Sequence, residues 1–196
     1  MQSINELPKH HLVPRISARE LQADITRMAG VVGEKYAGEE IALLAIFLGA
    51  KWFRGELINE LRSCPKKPLL IRQDSMRVSS YANSGGMESN RNPQIVDHPK
   101  NPEASIFDKH VLLIEDIIDT GQTIRDTVLP YVWSFSPKSI EVVSMLTKFE
   151  RLEVNRNDLH LLASGPDIRF FAVGSGLDWL QYYRNLPGIQ EVILEN

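Results

Sequence analysis

Cysteine is almost missing from this chain: Cys64 is the only one in 196 residues. That excludes an internal disulfide, makes the lone thiol a structural residue rather than a nucleophile, and fits a reducing cytosol. Long hydrophobic runs are missing too. The longest stretch of wholly apolar or small residues, 41–50, is too short to cross a bilayer, so no membrane partner is expected. Glu6, Pro8 and Lys9 stand where a secretory signal needs an apolar segment, and no signal is expected. There is no excess of positive charge. Lys and Arg number 22 against 25 Asp and Glu, for a net charge of −3 and a pI near 6.0. The small basic clusters at Lys66–Lys67 and His10–His11 form no stripe, so a nucleic-acid polymer is not an expected partner. The five histidines (10, 11, 98, 110, 160) lack metal-ligand spacing. Neither a P-loop nor a Gly-x-Gly-x-x-Gly fingerprint is present, which removes a plain nucleotide-binding module of those kinds. No internal repeat is found.

What is present suits one globular domain with a substantial core: 43% hydrophobic and 24% charged residues. Ser17-Ala18-Arg19-Glu20 is a capping box, and Leu21, Ile25, Met28, Ala29, Val32 and Tyr36 keep helical spacing up to a stop at Gly38. Residues 41–47 read as a buried strand. Phe53, Leu57 and Leu61 mark one face of the next helix, which Pro65 and Pro68 end, and a second strand begins at 69–71. A polar stretch follows over about 79–105, rich in Asn and Gly early and in Pro later. Its length inside a domain predicts a lid or an insertion. Further strands are expected at 139–146, 168–173 and 191–194. Alternation of strands with helices predicts an α/β fold with a mostly parallel sheet. Pro130 predicts a kink or an early end in the helix after residue 123.

The most informative segment runs from Val111 to Thr123. Its apolar start, 111–114, is the mark of a strand buried on both faces. Glu115, Asp116, Ile117 and Ile118 follow at the strand's carboxyl end, then Asp119, Thr120, Gly121, Gln122 and Thr123 lead into a helix with Ile124, Val128, Leu129 and Val132 on one side. Helix-start N–H groups, two hydroxyls and a glycine make a phosphate cradle. Carboxylates accept hydrogen bonds from a vicinal diol. Phosphate pocket and diol acceptors a few residues apart match a ribose 5-phosphate.

This segment closely resembles the phosphoribosyl pyrophosphate (PRPP) signature of type I phosphoribosyltransferases, in its hypoxanthine-guanine form. The resemblance extends to about Leu186 and implies a twisted, mostly parallel sheet flanked by helices, with a mobile lid loop and a small hood region. It implies that Glu115 and Asp116 hold ribose or magnesium, that Thr120 to Thr123 hold the 5-phosphate, and that Asp119 is the general base. A second loop would meet pyrophosphate through Leu48 and Gly49. The family usually has lysine at the first of these positions, so this chain departs from the pattern, and Lys51 is the nearest cation in sequence. Ser80 and Tyr81 resemble the lid's Ser-Tyr, and Arg184 would also bind pyrophosphate. Lys148 would donate to the exocyclic oxygen of a 6-oxopurine, a carbonyl that a cation selects over an amino group. Phe171 would stack on the base, the Ala172 backbone would meet its edge, and Asp178 would hold magnesium.

The activity so implied is transfer of the 5-phosphoribosyl group from PRPP to N9 of hypoxanthine or guanine, with Mg²⁺ as cofactor. Alternatives are another acceptor, xanthine or a pyrimidine, or a PRPP or nucleotide sensor without catalysis, to which Leu48 gives footing. The family implies a homodimer or homotetramer, with Trp52 and Phe53 expected as exposed aromatics available for contact.

Overall fold

A computed structural model describes residues 7–79 and 93–195. Two sheets organise it. The larger has six strands in the order β4-β3-β2-β5-β6-β7, formed by β2 (Glu40–Phe47), β3 (Leu70–Val78), β4 (Ile95–Asp97), β5 (His110–Ile118), β6 (Ser139–Thr147) and β7 (Leu161–Ser164). Every pairing is parallel except β3 with β4. The smaller sheet, order β1-β9-β8, is antiparallel and joins β1 (His10–Ile16), β8 (Ala172–Val173) and β9 (Ile189–Leu194). It is the expected hood.

The strands of the large sheet are apolar on both faces because both faces are covered. Leu43, Ala45, Leu112 and Ile114 enter one core with helices α1 (Ala18–Lys35) and α2 (Ala50–Ser63). Leu44, Ile46, Val111 and Leu113 enter a second core with Val128, Leu129 and Val132. Alternate residues of one strand thus serve opposite layers. The α1 capping box forms as its sequence predicts: Ser17 Oγ accepts from Glu20 N–H, and Glu20 reaches back to Ser17 N–H at 2.8 Å. The helix ends at Lys35, and Gly38 takes the left-handed turn beyond it, at φ +80°.

Chain order along the large sheet reverses between β2 and β5. From β2 the chain steps outward to β3 on one side, then returns to build β5, β6 and β7 on the other. Open α/β sheets leave a crevice outside the strand ends at such a point. Gly49 follows β2 there, and Asp119 follows β5. Phe53, Leu57 and Leu61 of α2 are fully buried. At roughly 2 kcal/mol for each such side chain, they fix the helix that starts just after Gly49.

Several expectations are corrected. Residues 168–173 are not one strand: only Ala172–Val173 pairs, and it pairs in the small sheet. The large sheet's edge is filled instead by β7, two leucines and two small residues that carried too little signal. Strand β1 was hidden by its two histidines and Pro14. It tolerates proline because it is an edge strand with an irregular register at 14–16. Part of the polar stretch is built in, since β4 pairs with β3 and a helical turn, α3, spans Pro102–Ser105. Pro130 causes no break. The helix opens with wide turns over Thr123–Val128, where Leu129 N–H donates to Ile124 O, and Pro130 sits in the first turn of α4 (Leu129–Trp133). Phe53 is not an exposed aromatic but core, and Trp52 is partly buried against that core. Among the described residues, no helix is long and apolar enough to cross a membrane.

Candidate active site

A cleft of about 290 Å³ lies at the carboxyl ends of β2 and β5, roofed by the start of β8 and the loop between β8 and β9. Its phosphate end is the turn after Ile118. Gly121 has φ +80°, and a Cβ there would stand 2.6 Å from Val154 Cγ2. Both conformation and space therefore require glycine. The turn is tied down from outside by Glu153 N–H to Thr120 O (3.0 Å), and Arg125 N–H donates to Gly121 O (3.1 Å) as the helix begins. First-turn N–H groups have no partner inside a helix, so they face whatever the cleft holds.

Beside the turn, Glu115 and Asp116 both line the cleft. The two carboxyl groups hydrogen-bond each other. Burial first, then the neighbouring Asp116, pushes the Glu115 carboxyl well above its usual range. Burial also raises Asp116, against the opposing pull of its bonds to Glu115 and to Ile117 N–H (2.8 Å) and of Arg184. Glu115 Oε2 is buried without a hydrogen-bond partner. Gly49 carries no side chain for an equally local reason: its Cβ would fall 1.3 Å from Asp116 Oδ2.

The base end is cationic and aromatic. Lys148, only 7% exposed, places Nζ 3.3 Å from Asp119 Oδ2, and its N–H bonds Ile118 O at 2.8 Å. Arg151 Nε lies 2.7 Å from Asp119 Oδ1. Phe171 and Ala172 form the opposite wall, held to the small sheet by Val192 N–H to Phe171 O and by Ala172 pairing with Glu191. Asp178 closes one side. Its Oδ1 pairs with Arg184 Nη2 at 2.6 Å and its Oδ2 accepts from Gln181 N–H at 2.7 Å, while Arg184 Nη1 donates to Gly176 O at 2.6 Å. Among the described residues no three carboxylate, imidazole or thiol groups converge as a ready-made metal cage.

A family model described as "Phosphoribosyl transferase domain" matches residues 17–178. The chain belongs to the phosphoribosyl transferase family. Hypoxanthine phosphoribosyltransferase of Escherichia coli (strain K12) is 33% identical over 188 residues, covering 95% of this chain and 98% of that protein. Hypoxanthine-guanine phosphoribosyltransferase of Staphylococcus epidermidis (strain ATCC 12228) is 32% identical over 174 residues, 89% of each chain. Among solved structures, a hypoxanthine-guanine phosphoribosyltransferase from Bacillus anthracis superposes with a TM-score of 0.77 at 28% identity, covering 95% of this chain and all of that one.

Against that family pattern, the cleft gathers Leu48, Gly49, Glu115, Asp116, Ile117, Ile118, Asp119, Thr120, Gly121, Thr123, Lys148, Phe171, Ala172, Asp178 and Arg184. Gln122 is turned away and donates to Glu153 Oε2 at 2.7 Å. Lys51 is exposed and outside the cleft, so it does not replace the missing lysine at Leu48, which is half-exposed at the cleft. Ser80 and Tyr81 lie outside the described residues, as does the rest of 80–92, the first half of the expected lid. Sequence reasoning missed Arg77, Gln181 and Arg151. Arg77 ends a strand that was traced only at its start, and Arg151 reaches Asp119 from a short turn that carries no motif.

Proposed function

We propose that this protein transfers the 5-phosphoribosyl group from PRPP to N9 of a 6-oxopurine, hypoxanthine or guanine, releasing pyrophosphate and forming IMP or GMP in purine salvage. One observation carries the reading: phosphate turn, paired acids, Lys148–Asp119 and the Phe171 wall share a single cleft.

The 5-phosphate sits on the amides and hydroxyls of residues 120–123, a remote anchor that aligns the anomeric carbon. Glu115 and Asp116 accept the ribose hydroxyls and place negative charge beside a sugar that becomes oxocarbenium-like as pyrophosphate leaves. Phe171 stacks on the purine, the Ala172 backbone meets its edge, and Lys148 donates to its O6. As N9 attacks, Asp119 takes the proton from N7. Leu48, Gly49 and Arg184 face the pyrophosphate.

The donor set fits a hard divalent cation: two buried carboxyl groups side by side, one of them with an oxygen that has no protein partner. Glu115, Asp116 and Asp178 are the residues that would hold Mg²⁺. When bound, the ion neutralises charge on the departing pyrophosphate. The family reading also implies a cytosolic homodimer or homotetramer, which sedimentation would establish.

The deciding assay is spectrophotometric, with PRPP, Mg²⁺ and each of hypoxanthine, guanine, xanthine and adenine. Turnover of oxopurines but not adenine is expected. Asp119→Asn should lower kcat by about 100-fold or more while PRPP affinity holds; equal loss of both in a folded protein removes Asp119 as base. The uncharged Leu48 favours a second reading, a PRPP sensor. PRPP binding without turnover of any base would establish that instead.

A further inference from the structure

Both oxygens of Asp119 face cations from one downstream segment. Lys148 Nζ is 3.3 Å from Oδ2, and Arg151 Nε is 2.7 Å from Oδ1. The two contacts differ in kind. Lys148 is buried and its ammonium has a second claim on it, the purine oxygen. Arg151 has a largely exposed side chain, 57%, whose Nε end reaches in to the carboxylate. The oxygen it meets is itself buried and has no hydrogen-bond partner. The segment bearing Arg151 is fastened to the phosphate turn from both sides. Ahead of Arg151, Lys148 N–H bonds Ile118 O at 2.8 Å; after it, Glu153 N–H bonds Thr120 O at 3.0 Å and the Glu153 carboxylate accepts from Gln122.

We propose that Arg151 is the positioning residue of the general base. It holds the Asp119 carboxylate by one oxygen while Lys148 passes from the other oxygen to the purine carbonyl. Without it, binding of the base would take away Asp119's only other cation among these contacts, and the carboxylate would be free to turn off the N7 proton. The guanidinium suits this task because its charge is permanent and lies against an oxygen that has no other partner. Arg151 touches no reacting atom; it acts through Asp119. The inference rests on Asp119 being the base.

The test compares Arg151→Ala, Arg151→Gln and Arg151→Lys with the parent protein, measuring kcat, KM for PRPP and for hypoxanthine, and Tm. Arg151→Ala and Arg151→Gln should lose kcat by about tenfold or more, as a displaced reacting group does, with KM for PRPP and Tm little changed. Arg151→Lys should recover part of the loss, and millimolar guanidinium ion should partly restore Arg151→Ala. Parental kcat in the alanine and glutamine variants overturns the proposal. So does a loss that follows Tm and responds to neither lysine nor guanidinium, since Arg151 would then only brace the turn. Full turnover in Asp119→Asn would fail the base assignment instead, and separately.

Discussion

Glu115 pairs one carboxyl oxygen with Asp116 and leaves Oε2 buried without a donor. A folded protein keeps such an arrangement at a cost in stability, which a ligand's hydroxyls or a cation would relieve. The cost has a sign in pH. An acid whose folded pKa is raised binds its proton longer in the native state than in the unfolded chain. Its stabilising effect is full below the ordinary value of 4.5 and declines as pH rises above it. Glu115→Gln removes that decline. In the ligand-free protein it should raise Tm by about 2–4 °C at pH 8, and by less at pH 5, while lowering turnover. Thermal melts at both pH values check this; a lower Tm at pH 8 would show that Glu115 is satisfied in the folded state. At this scale the sequence was largely sufficient, because the residues from Glu115 to Thr123 lie together in the chain. What it could not give was contact across the chain: that Asp116 forbids a side chain at Gly49, or that Arg151 meets Asp119.

Elements were legible where one signal dominated. The capping box fixed the start of α1, and uninterrupted apolar runs marked β2 and β5. They were not legible where tertiary context overrode local pattern. β1 carries proline and histidines on an edge, β7 is too short to show periodicity, and 168–173 looked extended because its apolar residues serve the core and the cleft wall. The polar stretch before β5 is the clearest case. Its second half is docked by one side chain, Asp74, which accepts from Ser75, Lys100 and Asn101 N–H and from Ser105 Oγ at 2.8 Å. Burial acts to raise this acid, but the four bonds together outweigh it and hold it below its ordinary value. Asp74→Ala should cost about 1–3 kcal/mol in urea unfolding and speed hydrogen exchange over 100–106. Asp74's contribution is present above its ordinary value and lost as pH falls through the lowered one, so the deficit should shrink in acid. Unchanged exchange would show that β4 pairing alone docks the segment.

The whole molecule divides the labour between its sheets. The large sheet's reversal between β2 and β5 sets the phosphate turn and the acids at one crevice. The small sheet, made from the chain's two end segments, brings Phe171 and Ala172 over it. Base and sugar phosphate are therefore held by different parts of the fold. Weakening the small sheet should separate their affinities. Pro substitution at Val192, whose N–H bonds Phe171 O, should weaken guanine or hypoxanthine binding by about tenfold and leave PRPP binding nearly intact in calorimetry. Equal loss of both would mean that the two sheets do not act separately.

The most direct test is a crystal structure with a 6-oxopurine ribonucleotide bound. The expected density has the 5-phosphate on residues 120–123, both ribose hydroxyls at Glu115 and Asp116, and the base between Phe171 and the Lys148–Asp119 pair. A nucleotide bound elsewhere, or lying in this cleft with its phosphate at the Phe171 end, contradicts the account.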